Sequence, residues 1–178
     1  NNNETQLNES MDIRQVAMIA LKNSMGFISH IFTNDQYRNI IFSLIFDNLV
    51  LNSITLRLNA FQCLVSIADL YYDYLDDKIG QIYTITEEAI KKQPDEIVCQ
   101  AIEFWGVIAD TEIAILDRIQ SHGNSGEKVN KQYMIKAINI VPLLLEQMTM
   151  QSEDIHDEDM NRAKAAANCL LLIAGATG

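Results

Sequence analysis

Carboxylates carry the clearest chemical pattern in this sequence, and they form two sets. The first set recurs every seven residues along one predicted helix: Glu96, Glu103, Asp110 and Asp117. Seven residues are nearly two turns of an α-helix, so the four side chains form a stripe that drifts by only about 20° per step. Such a stripe is either a solvated helix face or a wall that attracts a basic partner, and the spacing alone leaves both interpretations open.

The second set lies in a short acidic segment, residues 151–160, which also contains His156. Its carboxylates are Glu153, Asp154, Asp157, Glu158 and Asp159. An EF-hand calcium loop needs ligands at alternating positions, a central glycine and a final glutamate, and this segment lacks that arrangement. The remaining interpretations are a solvated insertion and a contact surface for lysines and arginines of a partner. We favour the contact surface, which steers a basic partner over a Debye length of about 8 Å and weakens with salt.

Nucleophiles and metal ligands show no comparable grouping. The three histidines are scattered along the chain: His30, His122 and His156. The three cysteines stand apart within apolar runs, without a Cys-x-x-Cys pair: Cys63, Cys99 and Cys169. Metal sites and nucleophilic catalysis need such residues close together, and a phosphate-binding loop needs clustered glycines. We therefore predict a protein that is not an enzyme and uses no cofactor or metal, with buried thiols in a reducing compartment.

Charge and composition restrict the classes of molecule that the protein can bind. The 178 residues carry a formal net charge of −11, which disfavours contact with nucleic-acid phosphates and anionic lipid. A membrane-spanning helix needs about 20 consecutive apolar residues, and the sequence has no such run, so we expect no membrane insertion. Basic proteins are the partners that this charge favours.

Helix breakers are scarce, since the chain holds 2 prolines and 7 glycines, and this predicts an all-α protein. Apolar spacing divides the chain into a first helix and three helix pairs, at about 11–30, then 34–75, 77–120 and 129–177. Asn34 or Asp35 and Ser53 are suited to begin helices, because their side chains accept hydrogen bonds from free backbone N–H groups. Pro142 is expected to bend the helix that contains it.

A repeat is hidden in these helices. One pattern occurs four times: Arg, Lys or Val, then an alanine three residues later, then Leu or Trp four residues after the alanine. Its alanines are Ala17, Ala60, Ala101 and Ala167. The first two intervals, 43 and 41 residues, match the period of about 40–47 residues of HEAT and armadillo arrays, whereas the third is 66 residues. We therefore predict a HEAT-repeat solenoid, a right-handed superhelix of stacked antiparallel helix pairs, because a single pair cannot bury its apolar face alone.

Several stretches of the sequence resemble the importin-beta family in their order and separations, across essentially the whole chain. They are Leu70–Tyr74, Ala101–Trp105, Ile140–Pro142, and Lys164–Ala166 with Cys169–Leu172 after the acidic segment. The Glu-Phe-Trp run and the acidic segment together are quite specific, and they place the chain in the N-terminal half of such a receptor. Two features depart from the family: Met160 stands where relatives commonly have tryptophan, and the loop at 121–131 is shorter than their linker.

The resemblance implies a receptor that carries cargo through nuclear pores and moves between cytoplasm and nucleus, without enzymatic activity. Its implied partners are a Ran-type GTPase, importin-alpha or basic cargo, and nucleoporins with Phe-Gly repeats. Glu103 and Asp110 are implied contacts of the GTPase, and the carboxylates of the acidic segment join them. Tyr37, Ile40 and Ile41 match the outer-helix position that takes Phe-Gly repeats, although their spacing also fits core residues. We expect Ile40 and Ile41 to face solvent.

Another HEAT or armadillo scaffold, such as a phosphatase scaffold or a catenin-like adaptor, remains the alternative, because an acidic stripe suits any basic peptide. Phe-Gly binding and GTP-dependent Ran binding distinguish the two classes of protein.

The two ends of the chain suggest an internal piece of a longer protein. The chain begins without methionine and ends directly after an apolar helix. Apolar surfaces left at such ends favour self-association of the piece.

Overall fold

The computed structural model describes residues 2–122, 129–150 and 161–178, and these residues form helices, turns and loops without a β-strand. The helices are α1 (Asn2–Ser24), α2 (Ser29–Phe32), α3 (Asp35–Leu49), α4 (Ile54–Leu70), α5 (Ile79–Lys92), α6 (Asp95–His122), α7 (Lys131–Asn139), α8 (Val141–Thr149) and α9 (Arg162–Thr177). Short 3-10 turns cover Met25–Phe27 and Tyr72–Tyr74. The chain forms two compact units, unit 1 up to Tyr71 and unit 2 from Tyr72. The prediction of an all-α protein is confirmed.

Helix starts follow the capping residues that the sequence offers. The Asn34 side chain accepts hydrogen bonds from the backbone N–H groups of Gln36 (3.0 Å) and Tyr37 (3.2 Å) at the start of α3. The Ser53 hydroxyl accepts one from the N–H of Leu56 (3.4 Å) at the start of α4. Each cap satisfies a donor that the first turn of a helix leaves without an intrahelical partner.

Two helices differ from the sequence-based expectation. The helix predicted at 11–30 ends at Ser24, and a 3-10 turn and the separate short helix α2 follow it. The helix that Pro142 was expected to bend, the first of the pair predicted at 129–177, is broken in two at Ile140, and Pro142 lies in the first turn of α8. The expectation of one bent helix is therefore wrong. Proline is tolerated in a first turn because its missing N–H has no intrahelical acceptor there.

Unit 1 is held together by aromatic and polar contacts between its helices. Phe32 is fully buried and stacks on Tyr71, with ring centroids 3.9 Å apart. The Tyr71 hydroxyl donates a hydrogen bond to the Met25 carbonyl and so joins the end of α4 to the turn after α1. Lys22 of α1 donates to the side chain of Gln62 in α4 (3.1 Å). The residue later in the first segment, Met25 rather than Lys22, meets the residue later in the second, Tyr71 rather than Gln62. The α1 and α4 helices therefore run parallel.

Unit 2 is centred on α6, whose Trp105 is fully buried. The indole N–H donates to the Thr86 hydroxyl of α5 (2.9 Å), and that hydroxyl donates to the Ile82 carbonyl one turn earlier (2.9 Å). The rings of Tyr83 and Phe104 meet Trp105 edge-on, with centroids 6.2 Å and 5.1 Å away. The apolar ring of Trp105 is therefore removed from water, while its one polar group, the indole N–H, keeps a hydrogen-bond acceptor inside the unit.

The α6 and α9 helices run parallel and pack closely. Asp95 and Arg162, in their first turns, form an ion pair. Further along both helices, a Cβ atom placed on Gly175 would approach Ile113 Cδ1 to 3.2 Å, so the glycine permits this contact. The 66-residue interval of the alanine repeat is therefore the offset between two parallel helices of unit 2.

The alanine repeat describes the packing of α4 and α6, but not that of α1 or α9. Ala60 and Ala101 are fully buried, as are the large residues four positions after them. In contrast, Ala17 is exposed, and Leu171 is 73% exposed. In α9 the fully buried alanine is Ala166, one residue before the predicted position. Several alanines in a row offer equivalent small surfaces, so the pattern could not determine which of them packs.

A buried carboxylate ties the start of α7 to the rest of unit 2. Glu112 of α6 is fully buried, and its Oε1 accepts hydrogen bonds from the Asn130 N–H (2.9 Å) and from the Tyr72 hydroxyl. Its Oε2 has no partner among the described residues. Burial and the bond to Glu112 raise the pKa of Tyr72, so the hydroxyl keeps the proton that it donates. The Asn130 side chain in turn caps α7 by accepting from the N–H of Gln132 (3.1 Å).

The prediction of buried thiols is confirmed for Cys63 in unit 1 and Cys169 in unit 2, and it is wrong for Cys99. Burial away from water raises the pKa of the Cys63 and Cys169 thiols from 9.0 to about 12. Cys99 is half-buried, and its pKa is raised for the same reason. The thiols are therefore protonated at neutral pH and pack as small apolar groups.

Glu112→Ala is expected to destabilise unit 2 by about 2–4 kcal/mol, because it leaves the buried Tyr72 hydroxyl without its acceptor and removes one of the two acceptors of the Asn130 N–H. Trp105 is the one tryptophan of the chain and lies in unit 2, so its fluorescence during urea unfolding follows that unit. Glu88→Ala, at an exposed position of α5, is the control and should stay within about 0.5 kcal/mol of wild type. Equal midpoints for Glu112→Ala and wild type would show that the buried carboxylate does not stabilise the fold.

Unit 2 is expected to lose stability above pH 9, because the folded pKa of the Cys169 thiol, about 12, lies above its unfolded value of 9.0. The contribution of this thiol is fully present below the unfolded pKa and is lost as the pH rises toward the folded pKa. One such thiol accounts for about 1 kcal/mol between pH 8 and pH 10. Urea unfolding of Cys169→Ala, followed by Trp105 fluorescence, should show a smaller loss over this interval than wild type. An identical loss would contradict the assignment to Cys169.

Candidate protein-binding surfaces

An apolar stripe faces solvent on α3 in unit 1. Tyr37, Ile40 and Leu44 are 55%, 49% and 48% exposed. Their spacing of three and four residues places them on one face of the helix. A row of half-exposed aromatic and aliphatic side chains can receive an apolar group of a partner without any rearrangement of the core.

Ile41 does not belong to that exposed stripe. It is 7% exposed and belongs, like Phe42 and Ile45, to the buried core of unit 1. The prediction that Ile40 and Ile41 both face solvent is therefore wrong for Ile41. Consecutive helical residues differ by about 100° around the axis, so neighbours of this kind point in different directions. Leu44, four residues after Ile40, provides the second aliphatic side chain of the stripe. The spacing of four residues already places these two side chains on one face of a helix.

The four carboxylates spaced by seven along α6 all face solvent in unit 2. Ala101, Trp105 and Ile108, on the other side of the same helix, are fully buried. Neighbouring carboxylates of the stripe lie roughly 10 Å apart along the axis, which is about one Debye length in physiological salt. Mutual repulsion along the stripe is therefore small, and the exposed charges stay available to a partner.

A cleft between α6 and α9 contains the middle of this stripe. It is lined by Glu103, Gly106, Val107 and Asp110 of α6, and by Ala165, Asn168, Cys169 and Leu172 of α9. Besides these two carboxylates and Asn168, the lining consists of apolar side chains and a glycine. A long basic side chain suits such a surface, because its aliphatic stem can lie on the apolar lining while its charge meets a carboxylate.

Sequence reasoning missed the α9 wall of the cleft. Asn168 is exposed and Leu172 is half-buried, and neither stands out in the sequence as a candidate contact. The sequence did contain one signal for this wall, the 66-residue interval of the alanine repeat. Adding 66 to the number of Gly106 in α6 gives Leu172 in α9, and the two are neighbours, since a Cβ atom on Gly106 would lie 3.6 Å from Leu172 Cδ1. That mapping becomes useful only when α6 and α9 are known to be parallel neighbours.

The acidic segment lies outside the residues that the structure describes. The predicted contacts within it are Glu153, Asp154, Asp157, Glu158 and Asp159. The segment joins Met150, after α8, to Asn161, whose side chain caps α9 by accepting a hydrogen bond from the N–H of Lys164 (2.9 Å).

Within residues 2–122, 129–150 and 161–178, the histidine, cysteine, aspartate and glutamate side chains form no group that could hold a metal ion. In the same part of the chain, every helix is too short or too polar to cross a membrane.

Known proteins with similar sequences carry the name importin subunit beta-1. The protein of that name from Arabidopsis thaliana is 36% identical over 171 residues, a match that covers 94% of this chain and 20% of that protein. The protein from Schizosaccharomyces pombe is 30% identical over 171 residues, covering 93% of this chain and 20% of that protein. The chain therefore spans about a fifth of the length of the curated relatives it matches. No protein-family model matches it.

Solved structures give the same result for the fold. A structure of yeast importin-beta, Kap95p, matches with a TM-score of 0.87 and 29% identity, covering 93% of this chain and 19% of that one. A complex of Kap95 with Nup1 matches with a TM-score of 0.83 and 29% identity, covering 91% and 19%. The same values hold for Kap95p in a structure with RanGDP. The prediction of a HEAT-repeat solenoid is confirmed by these matches.

Proposed function

Because this chain belongs with importin-beta in both sequence and fold, we propose that it is part of a nuclear import receptor that shuttles between cytoplasm and nucleus. Its role in that receptor is protein binding rather than catalysis. The observation that supports this proposal most strongly is the 36% identity to an importin subunit beta-1 along 94% of the chain. Glu103 and Asp110 of α6 and the apolar stripe of α3 are the surfaces through which the chain acts.

The cleft between α6 and α9 is the proposed contact for a basic partner. Glu103 and Asp110 are exposed on its α6 wall. A lysine or arginine bonded to one of these carboxylates gains about 1.5–3 kcal/mol from charge-assisted hydrogen bonding. Kap95p has been solved with RanGDP, so a Ran-type GTPase is the proposed partner. Importin-alpha or basic cargo is the second proposed ligand of the same acidic surface.

The acidic segment is proposed to strengthen this attraction. The carboxylates at 153, 154, 157, 158 and 159 add negative potential that a basic partner meets as it approaches. Charges of this kind act mainly on the association rate and on its dependence on salt. The segment and the cleft therefore have different proposed tasks, which are attraction at a distance and contact at short range.

The apolar stripe of α3 is the proposed site for Phe-Gly repeats of nucleoporins, in keeping with the solved complex of Kap95 with Nup1. Burying one phenylalanine ring removes about 150–250 Å² from water, a gross gain of roughly 4–6 kcal/mol. Ordering a flexible peptide offsets most of that gain, so a single site is weak and exchanges quickly. Several weak sites along a receptor still give useful avidity. Tyr37, Ile40 and Leu44 form the proposed contact, and Ile41 supports it from the core.

In the full-length protein, Glu103→Gln and Asp110→Asn are each expected to weaken the binding of GTP-loaded Ran about tenfold, because each removes one charge-assisted contact. Surface plasmon resonance at several salt concentrations should also show a smaller salt dependence of the association rate. Asp117→Asn is the matched control, since it removes the same charge from the same stripe outside the cleft. It should change the affinity less than about threefold.

Equal effects of all three substitutions would assign the α6 carboxylates to general attraction and would remove the cleft as a contact. Binding that does not depend on GTP would favour the alternative class, a phosphatase scaffold or a catenin-like adaptor. The same carboxylates could serve a basic peptide in such a protein, so the dependence on GTP is the discriminating measurement.

Ile40→Asp is expected to reduce the binding of a Phe-Gly peptide about fivefold or more while unit 1 stays folded, because the charge occupies an exposed position where the ring docks. Ile41→Asp places an unpaired charge in the core and is expected to destabilise unit 1 by about 3 kcal/mol or more. Peptide titration by fluorescence anisotropy and urea unfolding by circular dichroism measure the two effects. Wild-type peptide affinity in a folded Ile40→Asp variant would exclude α3 as the site.

A further inference from the structure

Arg162 lies at a junction of three helices in unit 2. It is the first residue of α9, and its side chain is only 18% exposed. One guanidinium nitrogen donates to the side-chain oxygen of Gln147 in α8 (3.0 Å) and lies 3.5 Å from the sulfur of Met150. The other terminal nitrogen forms an ion pair with Asp95 in the first turn of α6. A single side chain therefore joins α9 to both α8 and α6.

This cation occupies a position that is unfavourable for α9 alone. The N-terminus of a helix carries a partial positive charge, which repels a cation in the first turn. The surrounding groups compensate, because Asp95 supplies the opposite charge and Gln147 supplies an acceptor. Gln147 is almost fully buried, so its side-chain oxygen is cut off from water and depends on the arginine as its donor.

The ion pair of Arg162 with Asp95 joins α6 and α9 on the N-terminal side of the residues that line the cleft. Asp95 lies about two turns before Glu103 on α6, and Arg162 lies about two turns before Asn168 on α9. Because the two helices are parallel, the ion pair lies on the same side of both walls. On the other side the helices touch directly through Gly175. With the two helices joined on both sides of the cleft, the separation between its α6 wall, with Glu103, and its α9 wall, with Asn168, is fixed.

Arginine suits this junction for a geometric reason. Its planar fork presents donors in several fixed directions, whereas lysine places one point charge on a flexible stem. Gln147 and Asp95 lie on different helices and are bonded by different nitrogens of Arg162. Arg162→Lys therefore keeps the charge and loses the simultaneous bonds to both helices.

We infer that Arg162 is a positioning residue of the acidic cleft, which sets the separation of the two walls by tying α9 to α6 and α8. The inference rests on the proposed function of the cleft. Coulomb's law alone predicts the opposite effect, because a cation beside the cleft repels a basic partner and its removal should favour association. A positioning role predicts faster dissociation when Arg162 is changed, because a bound basic side chain then fits the displaced walls less well.

Binding of GTP-loaded Ran to the full-length protein tests this, with association and dissociation rates measured separately. Arg162→Lys is expected to raise the dissociation rate about fivefold, with the association rate within about twofold of wild type. Arg162→Ala is expected to raise the dissociation rate at least as much while the association rate stays equal or increases. Lys92→Ala removes an exposed cation from the end of α5 and is the control for charge alone. It should leave the dissociation rate unchanged.

Hydrogen exchange of the free protein provides a second measurement. Both Arg162 variants should speed exchange of the backbone amides in the second and third turns of α9, whereas amides around Trp105 keep their protection. If Glu103→Gln and Asp110→Asn bind Ran as wild type does, the proposed function of the cleft and this inference fall together. If those two variants weaken binding and Arg162→Lys changes neither the dissociation rate nor the exchange, only the inference is overturned.

Discussion

The parallel packing of α6 against α9 is the contact on which unit 2 depends, and small residues bring the two helices together. Pairing with α5 covers only one side of α6, so its remaining apolar surface must meet another helix. A Cβ atom on Gly175 would crowd Ile113 at 3.2 Å, and one on Gly106 would lie 3.6 Å from Leu172. Larger side chains at these positions would separate the helices. The spacing that places apolar surface out of water thus also determines the geometry of the acidic cleft.

The α6 helix joins the stability of unit 2 to its proposed binding role. Trp105 anchors one side of the helix through full burial and its bond to Thr86, and Glu103 lies two residues away on the exposed side. A continuous helix transmits orientation along its whole length, so the anchored side determines where the carboxylates point. Binding groups held this way lose little conformational freedom when a partner arrives.

Contacts that require a particular geometry, such as hydrogen bonds and ring stacking, select one arrangement of the core among several that apolar packing alone would allow. Tyr71 and Tyr72 are adjacent in sequence, yet Tyr71 stacks on Phe32 in unit 1 and Tyr72 bonds to Glu112 in unit 2. Arg162 likewise bonds to Gln147 and Asp95 on two other helices. Hydrogen bonds between buried groups lose their energy when the geometry is wrong, so they select one packing arrangement among similar ones.

The sequence by itself determined the features that depend on residues close together in the chain. Scarce breakers indicated helices, Asn34 and Ser53 marked two helix starts, and the seven-residue spacing placed four carboxylates on one face of α6. Each of these follows from the geometry of a single helix or its first turn. The family resemblance also depends on residues close together in the chain, since it rests on short runs of sequence in a particular order.

Only the tertiary structure decided whether particular residues at the edge of a helix face are buried. Ile40 and Ile41 are the same residue type in adjacent positions, and packing leaves one exposed and one in the core. Glu112 is one more carboxylate of α6 in the sequence, yet it is buried because Asn130 and Tyr72, 18 and 40 residues away, supply its donors. Burial depends on neighbours that are distant along the chain, and a local pattern does not encode them.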